Sequence, residues 1–229
     1  MTSMKFFPPH GLYAITPQYY PDAQRLLADC AAALQGGARL LQFRDKSADR
    51  DWRLEVARRL NGLCRDQQVP LIINDDFELA RQIGAAGVHL GREDASISQV
   101  AAALGPDSLI GVSCYDRLDR AQSATEQGAS YLAFGSMFPS ATKPHAVRCS
   151  LQTLTAAKAF GLPLVAIGGI TAENGGSLIE AGADYLAVVG AVFDVPDVRG
   201  AAQQLAALWE DGNGRATPET RTAGYEYQQ

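Results

Sequence analysis

Apolar runs of four to six residues alternate along the chain with longer segments in which apolar positions recur at helical spacing. The short runs, at 11–16, 39–44, 70–74, 87–90, 109–113, 130–135, 163–168 and 184–189, predict eight strands. The amphipathic segments at 23–35, 52–66, 77–83, 98–104, 117–127, 151–160, 172–181 and 199–209 predict eight helices between and after them. Strict alternation of this kind points to an α/β chain closed into a single (β/α)8 barrel over residues 11–210. Residues 1–10 read as a short N-terminal extension. Residues 211–229, polar and without periodicity, read as a disordered tail.

An internal repeat supports the barrel. Gly37-Ala38, Gly84-Ala85, Gly128-Ala129 and Gly182-Ala183 each close a helix just before an even-numbered strand, where a left-handed residue suits the helix end. Strands three and seven open instead with Pro70 and Pro163, which stop the preceding helix and need not donate to the ladder.

Composition narrows the function classes. With 20 basic against 25 acidic residues the net charge is −5, which argues against a general nucleic-acid or membrane surface, so an anionic ligand must be held by local positive charge. Cys30, Cys64, Cys114 and Cys149 are scattered without a C-x-x-C pair, suggesting neither a zinc site nor a disulfide framework and favouring a reducing cytoplasm. No export signal or membrane span is expected. A homo-oligomer is compatible with the helix surfaces, which read alike whether they meet a partner or the barrel.

In a (β/α)8 barrel the chemistry lies at the C-terminal strand ends, and here those ends turn polar. Leu71-Ile72-Ile73-Asn74-Asp75 and Val88-His89-Leu90-Gly91-Arg92-Glu93-Asp94 each run from apolar to acidic, with Asp75 and Asp94 19 residues apart. That spacing spans a strand, helix and strand, so both carboxylates reach one face of the sheet, and two hard oxygen ligands there suggest Mg²⁺. Strand two ends in Gln42, Arg44 and Lys46, an amide and two cations suited to phosphates bridged by such a metal. Any one of these runs could be a solvated strand end; their coincidence at consecutive strands carries the reading. After strand six, Ser136, Ser140, Thr142 and Lys143 lie in a Gly- and Pro-bounded loop able to close over phosphate. Strand seven ends in Gly168-Gly169 and strand eight in Val189-Gly190, where backbone N–H groups can approach a monophosphate. A diphosphate grip and a monophosphate pocket imply two substrates.

These motifs together resemble the thiamine-phosphate synthase family of TIM barrels. The resemblance rests on Gly11-Leu12-Tyr13-Ala14-Ile15-Thr16, Gln42-Phe43-Arg44-Asp45-Lys46, Ile72-Ile73-Asn74-Asp75, Gly87-Val88-His89-Leu90-Gly91 with Glu93-Asp94, Ile110-Gly111-Val112-Ser113, Thr142-Lys143 and Ala166-Ile167-Gly168-Gly169-Ile170. It implies joining of an aminopyrimidine diphosphate to a thiazole phosphate, or its carboxylated tautomer, with release of diphosphate through an ionised pyrimidine. Carried over, Gln42, Arg44, Lys46, Asn74 and Lys143 would hold the pyrimidine diphosphate, Asp75 and Asp94 the Mg²⁺. Ser113 would contact the pyrimidine near the reacting centre. Arg44, Ser113 and Lys143 would be the catalytic set. Ser140, Thr142, Gly168, Gly169, Val189 and Gly190 would face the thiazole phosphate.

Several positions depart from the family pattern: Ser140-Ala141-Thr142 where Thr-x-Thr is common, which keeps both oxygens, Gly190 where serine is common, Arg92 where glutamine is frequent, and Cys114-Tyr115 where a small residue and histidine are usual. The last bears on a related barrel family that isomerises the thiazole and is expected to use a histidine near this strand end. His10, His89 and His145 look poorly placed as bases, His89 reading as structural, and Cys114 lacks an evident base for a nucleophilic role. A non-catalytic phosphate-ligand sensor is a third reading, against which the joint presence of Lys143, Asp75 and Asp94 argues.

Overall fold

The computed structural model describes residues 8–20, 22–47, 49–139 and 147–210. Eight parallel strands, β1 (Gly11–Ile15), β2 (Ala38–Phe43), β3 (Leu71–Asn74), β4 (Gly87–Leu90), β5 (Leu109–Tyr115), β6 (Tyr131–Phe134), β7 (Leu164–Ile167) and β8 (Tyr185–Val188), pair in sequence order and close on themselves. Around them lie α1 (Ala23–Gln35), α2 (Arg50–Asp66), α3 (Phe77–Ile83), α4 (Ile97–Leu104), α5 (Leu118–Glu126), α6 (Leu151–Ala157), α7 (Gly175–Ala181), α8 (Gly190–Phe193) and α9 (Val198–Ala206). This is the TIM-barrel architecture that the alternation of apolar runs predicts.

Local chemistry explains the boundaries. Asp22, Asp49, Asp76, Ser96, Ser150 and Asp197 each precede a helix and accept a backbone N–H of its first turn. Gly37, Gly84, Gly128 and Gly182 all take positive φ, as the repeat requires. Pro70 and Pro163 sit one residue outside β3 and β7, where their carbonyls still accept from Leu41 and Leu132. Two elements differ from expectation. The helix expected from 172 begins at Gly175, because Asn174 accepts from the Thr171 N–H and donates to the Gly169 carbonyl, holding the intervening backbone in a turn. The four-residue α8 after β8 is too short to show a helical period in sequence.

Side-chain alternation divides the core in two. Outward residues such as Leu12, Leu41, Ile73, Val88, Ile110, Leu132, Ala166 and Leu186 pack under the helices. Inward residues Tyr13, Ile15, Leu40, Ile72, Leu109, Tyr131, Ala133, Val165, Tyr185 and Ala187 fill the barrel. Gly111 makes that filling possible, since a Cβ there would lie 1.9 Å from Tyr131 Cζ. At the N-terminal end the Tyr185 hydroxyl donates to the Pro8 carbonyl and His10 stacks on Trp209, so residues 8–10 cover the floor of the barrel. No described helix is long and apolar enough to cross a membrane.

Candidate functional site

Side chains dominate the mouth of the barrel from β2 to β5. Gln42, the inward residue near the end of β2, is buried and donates from Nε2 to the Tyr13 hydroxyl at 2.7 Å. Arg44 is fixed through its backbone, donating to Thr16 Oγ1 at 2.9 Å, and its guanidinium reaches Gln18 at 3.1 Å. Asn74 closes β3 opposite His89 of β4. At the next residue the chain turns sharply: Asp75 adopts φ +64°, an unusual conformation for a non-glycine residue, and its N–H donates to the His89 carbonyl at 2.9 Å. Its carboxylate pairs with the Lys46 ammonium. Asp94 folds back on β4, accepting the Gly91 N–H at 2.5 Å.

Asp75 and Asp94, separate in sequence, are neighbours here. Burial raises the Asp94 carboxyl above its ordinary range; the Gly91 N–H opposes this, and the Asp75 hydrogen bond and charge reinforce it. Among the described residues, the Lys46 ammonium is the cation that offsets the charge of the pair. An all-carboxylate pair of this kind fits a hard divalent cation. Among the described residues no cluster of three or more His, Cys, Asp or Glu assembles. Two carboxylates with the remaining positions left to water and substrate phosphate are what Mg²⁺ ordinarily accepts.

Ser113, on β5, also lies on this side. Its Oγ is 2.9 Å from His89 Nε2, while His89 Nδ1 is 3.1 Å from the Tyr131 hydroxyl. Arg120 of the following helix donates to the carbonyls of Ser113 (2.6 Å) and Gly91 (2.7 Å), tying the ends of β5 and β4 together. Arg92 and Arg120 both approach the ring of Tyr115, at 5.0 and 5.8 Å from its centroid. Cys114 is buried and its thiol is pushed up to about 12, chiefly by burial, so it is no nucleophile at neutral pH.

Backbone dominates the opposite side, from β6 to β8. The segment after β6 continues along β7, with Met137 N–H donating to Ile167 O and Phe138 N–H to Gly168 O. Gly168 and Gly169 take φ +105° and +65°, and a Cβ would meet Ser136 Oγ at 2.2 Å on the first and the Pro139 carbonyl at 2.3 Å on the second. Both positions thus require glycine on conformation and on space. Gly190 opens α8 after Val189, and the Asp194 carboxylate occupies the space a Cβ would enter, 2.5 Å away. Ser140, Thr142 and Lys143 lie outside the described residues.

The structure thus brings Gln42, Arg44, Lys46, Asn74, Asp75, Asp94 and Ser113 to one side of the mouth and Gly168, Gly169, Val189 and Gly190 to the other. Sequence reasoning missed the link from Ser113 through His89 to Tyr131 and Tyr13, having set His89 aside as structural. Strand alternation placed all four side chains inside the barrel, and that was the available signal. It also missed Arg120, in α5, and Asp194, just after α8, which gain their roles only from the fold.

Comparison with known proteins agrees along most of the chain. A family profile described as thiamine monophosphate synthase matches residues 12–192. The thiamine-phosphate synthase of Chromobacterium violaceum is 54% identical over 196 residues, covering 86% of this chain and 94% of that protein. That of Thiobacillus denitrificans is 53% identical over 202 residues, covering 88% and 95%. Among solved structures, a thiamine phosphate pyrophosphorylase from Pyrococcus furiosus superposes with a TM-score of 0.80 at 32% identity, covering 88% of this chain and 96% of that one.

Proposed function

The chain belongs to the thiamine monophosphate synthase family, and from that premise we propose that it joins an aminopyrimidine carried as its diphosphate to a thiazole monophosphate. The thiazole nitrogen forms the new bond to the pyrimidine methylene carbon, the bond from that carbon to the diphosphate oxygen breaks, and thiamine phosphate and diphosphate leave. The single observation that carries this reading is the meeting of Asp75, Asp94 and Lys46 at one side of the mouth, across from the glycine-bearing ends of β7 and β8.

In this reading Asp75 and Asp94 hold Mg²⁺, which when bound neutralises charge on the departing diphosphate. Arg44 and Lys46 receive the same growing charge from the protein side, and Gln42, Asn74 and Ser113 orient the pyrimidine. The apolar filling beneath them, Ile15, Ile72 and Val165 among it, keeps water from the reacting carbon. Gly168, Gly169 and the Val189–Gly190 backbone take the thiazole phosphate, and Lys143, with Ser140 and Thr142, is assigned from the sequence motif. Among the described residues no general base is required, because departure of diphosphate, not proton removal, makes the carbon reactive.

Mixing the purified chain with both substrates, with and without Mg²⁺, and following products by chromatography tests this directly. Thiamine phosphate and diphosphate should appear in equal amounts and only with the metal. Product formation that persists in excess chelator would remove Asp75 and Asp94 from the metal role, and no product at all would remove the activity.

A further inference from the structure

The inside of the barrel carries a polar feature that the reaction as described does not use. A buried hydroxyl or imidazole needs a partner, and here the partners form one chain. Gln42 Nε2 lies 2.7 Å from the Tyr13 hydroxyl, which lies 2.9 Å from the Tyr131 hydroxyl. Tyr131 is 3.1 Å from His89 Nδ1, and His89 Nε2 is 2.9 Å from Ser113 Oγ. The path runs from β2 through β1, β6 and β4 to β5, joining two residues assigned to the pyrimidine substrate. Gly111 gives the Tyr131 ring its room, and the His89 ring lies nearly parallel to it at 5.7 Å.

One direction along this chain is set in motion by its start. An amide nitrogen only donates, so the Tyr13 oxygen accepts from Gln42, and in the direction proposed below its proton turns to Tyr131. In that direction Tyr131 donates to His89 Nδ1. An accepting Nδ1 leaves the imidazole proton on Nε2, where it is donated to Ser113 Oγ. Burial raises both tyrosines far above their ordinary range, so each remains a neutral phenol with a single proton to place.

We propose that Tyr13 and Tyr131 are positioning residues that hold His89 as its Nε2–H tautomer and so turn the Ser113 hydroxyl proton towards the substrate. Ser113 then acts as a hydrogen-bond donor, and it selects an acceptor, a ring nitrogen lone pair or a diphosphate oxygen, over an exocyclic amino group. This rests on the reading that Ser113 faces the pyrimidine diphosphate. Successive bonds of one direction polarise each other, so the terminal donor is stronger than an isolated serine.

Long-range ¹H–¹⁵N spectra of the full chain labelled at histidine, with His89 assigned through His89→Gln, read the tautomer without substrate. The wild type should show Nε2–H. Tyr131→Phe, which keeps the ring in its Gly111 space, should give a mixture of tautomers, lower kcat by about tenfold and leave KM for the thiazole phosphate within about twofold. Tyr13→Phe, one link further away, should give the same mixture. An Nδ1–H tautomer in the wild type, or Tyr131→Phe with tautomer and kcat both unchanged, overturns the proposal. Ser113→Ala separates it from the reading beneath it: unchanged turnover in that variant, with His89 still Nε2–H, would overturn the substrate role of Ser113 while leaving the direction of the chain intact.

Discussion

The two sides of the barrel mouth are built by opposite means, and on the proposed reading each holds a phosphate. From β2 to β5 the work falls to side chains: Lys46 pairs with Asp75, Asp94 accepts from Gly91, and Ser113 meets His89. From β7 to β8 it falls to backbone, which the segment after β6 can reach because Gly168 and Gly169 carry no side chain. The difference teaches where each side is vulnerable. Charge and hydrogen-bond chemistry decide the first, so a change that preserves shape can still abolish it. Volume and backbone conformation decide the second, so only added bulk reaches it.

The sharpest break is Asp75→Ala. It removes one of two carboxylates and leaves the Lys46 ammonium without its partner, so stabilisation of the departing diphosphate should fail. We expect turnover to drop by at least about 100-fold, while thiazole phosphate binding measured by calorimetry stays within about twofold. A parallel loss of thiazole phosphate binding would show that the two sides are not independent.

A smaller effect is expected from the opposite side. Gly169→Ala puts a Cβ 2.3 Å from the Pro139 carbonyl at φ +65°, so the backbone must shift. KM for the thiazole phosphate should rise about tenfold, with KM for the pyrimidine diphosphate nearly unchanged. Steady-state kinetics with each substrate varied in turn decides it, and an equal rise for both substrates would mean that the β6 segment serves the whole mouth.

The same contrast explains what could be read from the sequence. The barrel was legible because its two periods, 2 and 3.6, alternate without interruption, and the capping and closing residues Asp22, Asp76, Gly84 and Gly182 lie where the pattern changes. The side-chain half of the site was legible too, since acids and cations at apolar strand ends such as Asn74-Asp75 and Arg44-Asp45-Lys46 are conspicuous one by one. What escaped was relational. His89 looked like a packing residue because a strand histidine declares neither which neighbour it meets nor which nitrogen carries its proton. Arg120 binds the carbonyl of Ser113 in β5 and that of Gly91 just past β4, and Asp194 takes the space beside Gly190 only because α8 turns the chain back on itself. Asp75 shows the same limit: its residue type was readable, its left-handed backbone was not.

The gentlest test of the comparison concerns stability, and it applies to the side-chain half alone. In the fold the Asp94 carboxyl is held above its ordinary value, by burial first and then by Asp75, against the pull of the Gly91 N–H. A raised value means that the folded chain binds this proton more tightly than the unfolded one. The stabilisation is complete below about pH 4, where an unfolded aspartate is itself protonated, and is lost as pH rises through the raised folded value. Above that window the fold carries a carboxylate facing another carboxylate. Asp94→Asn keeps an oxygen for the Gly91 N–H and removes the charge. Without divalent cations it should therefore melt about 1–3 °C higher than the wild type at pH 7, the group being half-buried and partly screened. Near pH 3.5 the advantage should vanish. Adding Mg²⁺ at pH 7 should raise the wild-type Tm and not the variant's, because binding to the folded state alone stabilises it. A variant that melts lower at both pH values by the same margin would show that the Gly91 hydrogen bond, and not the facing carboxylates, governs Asp94.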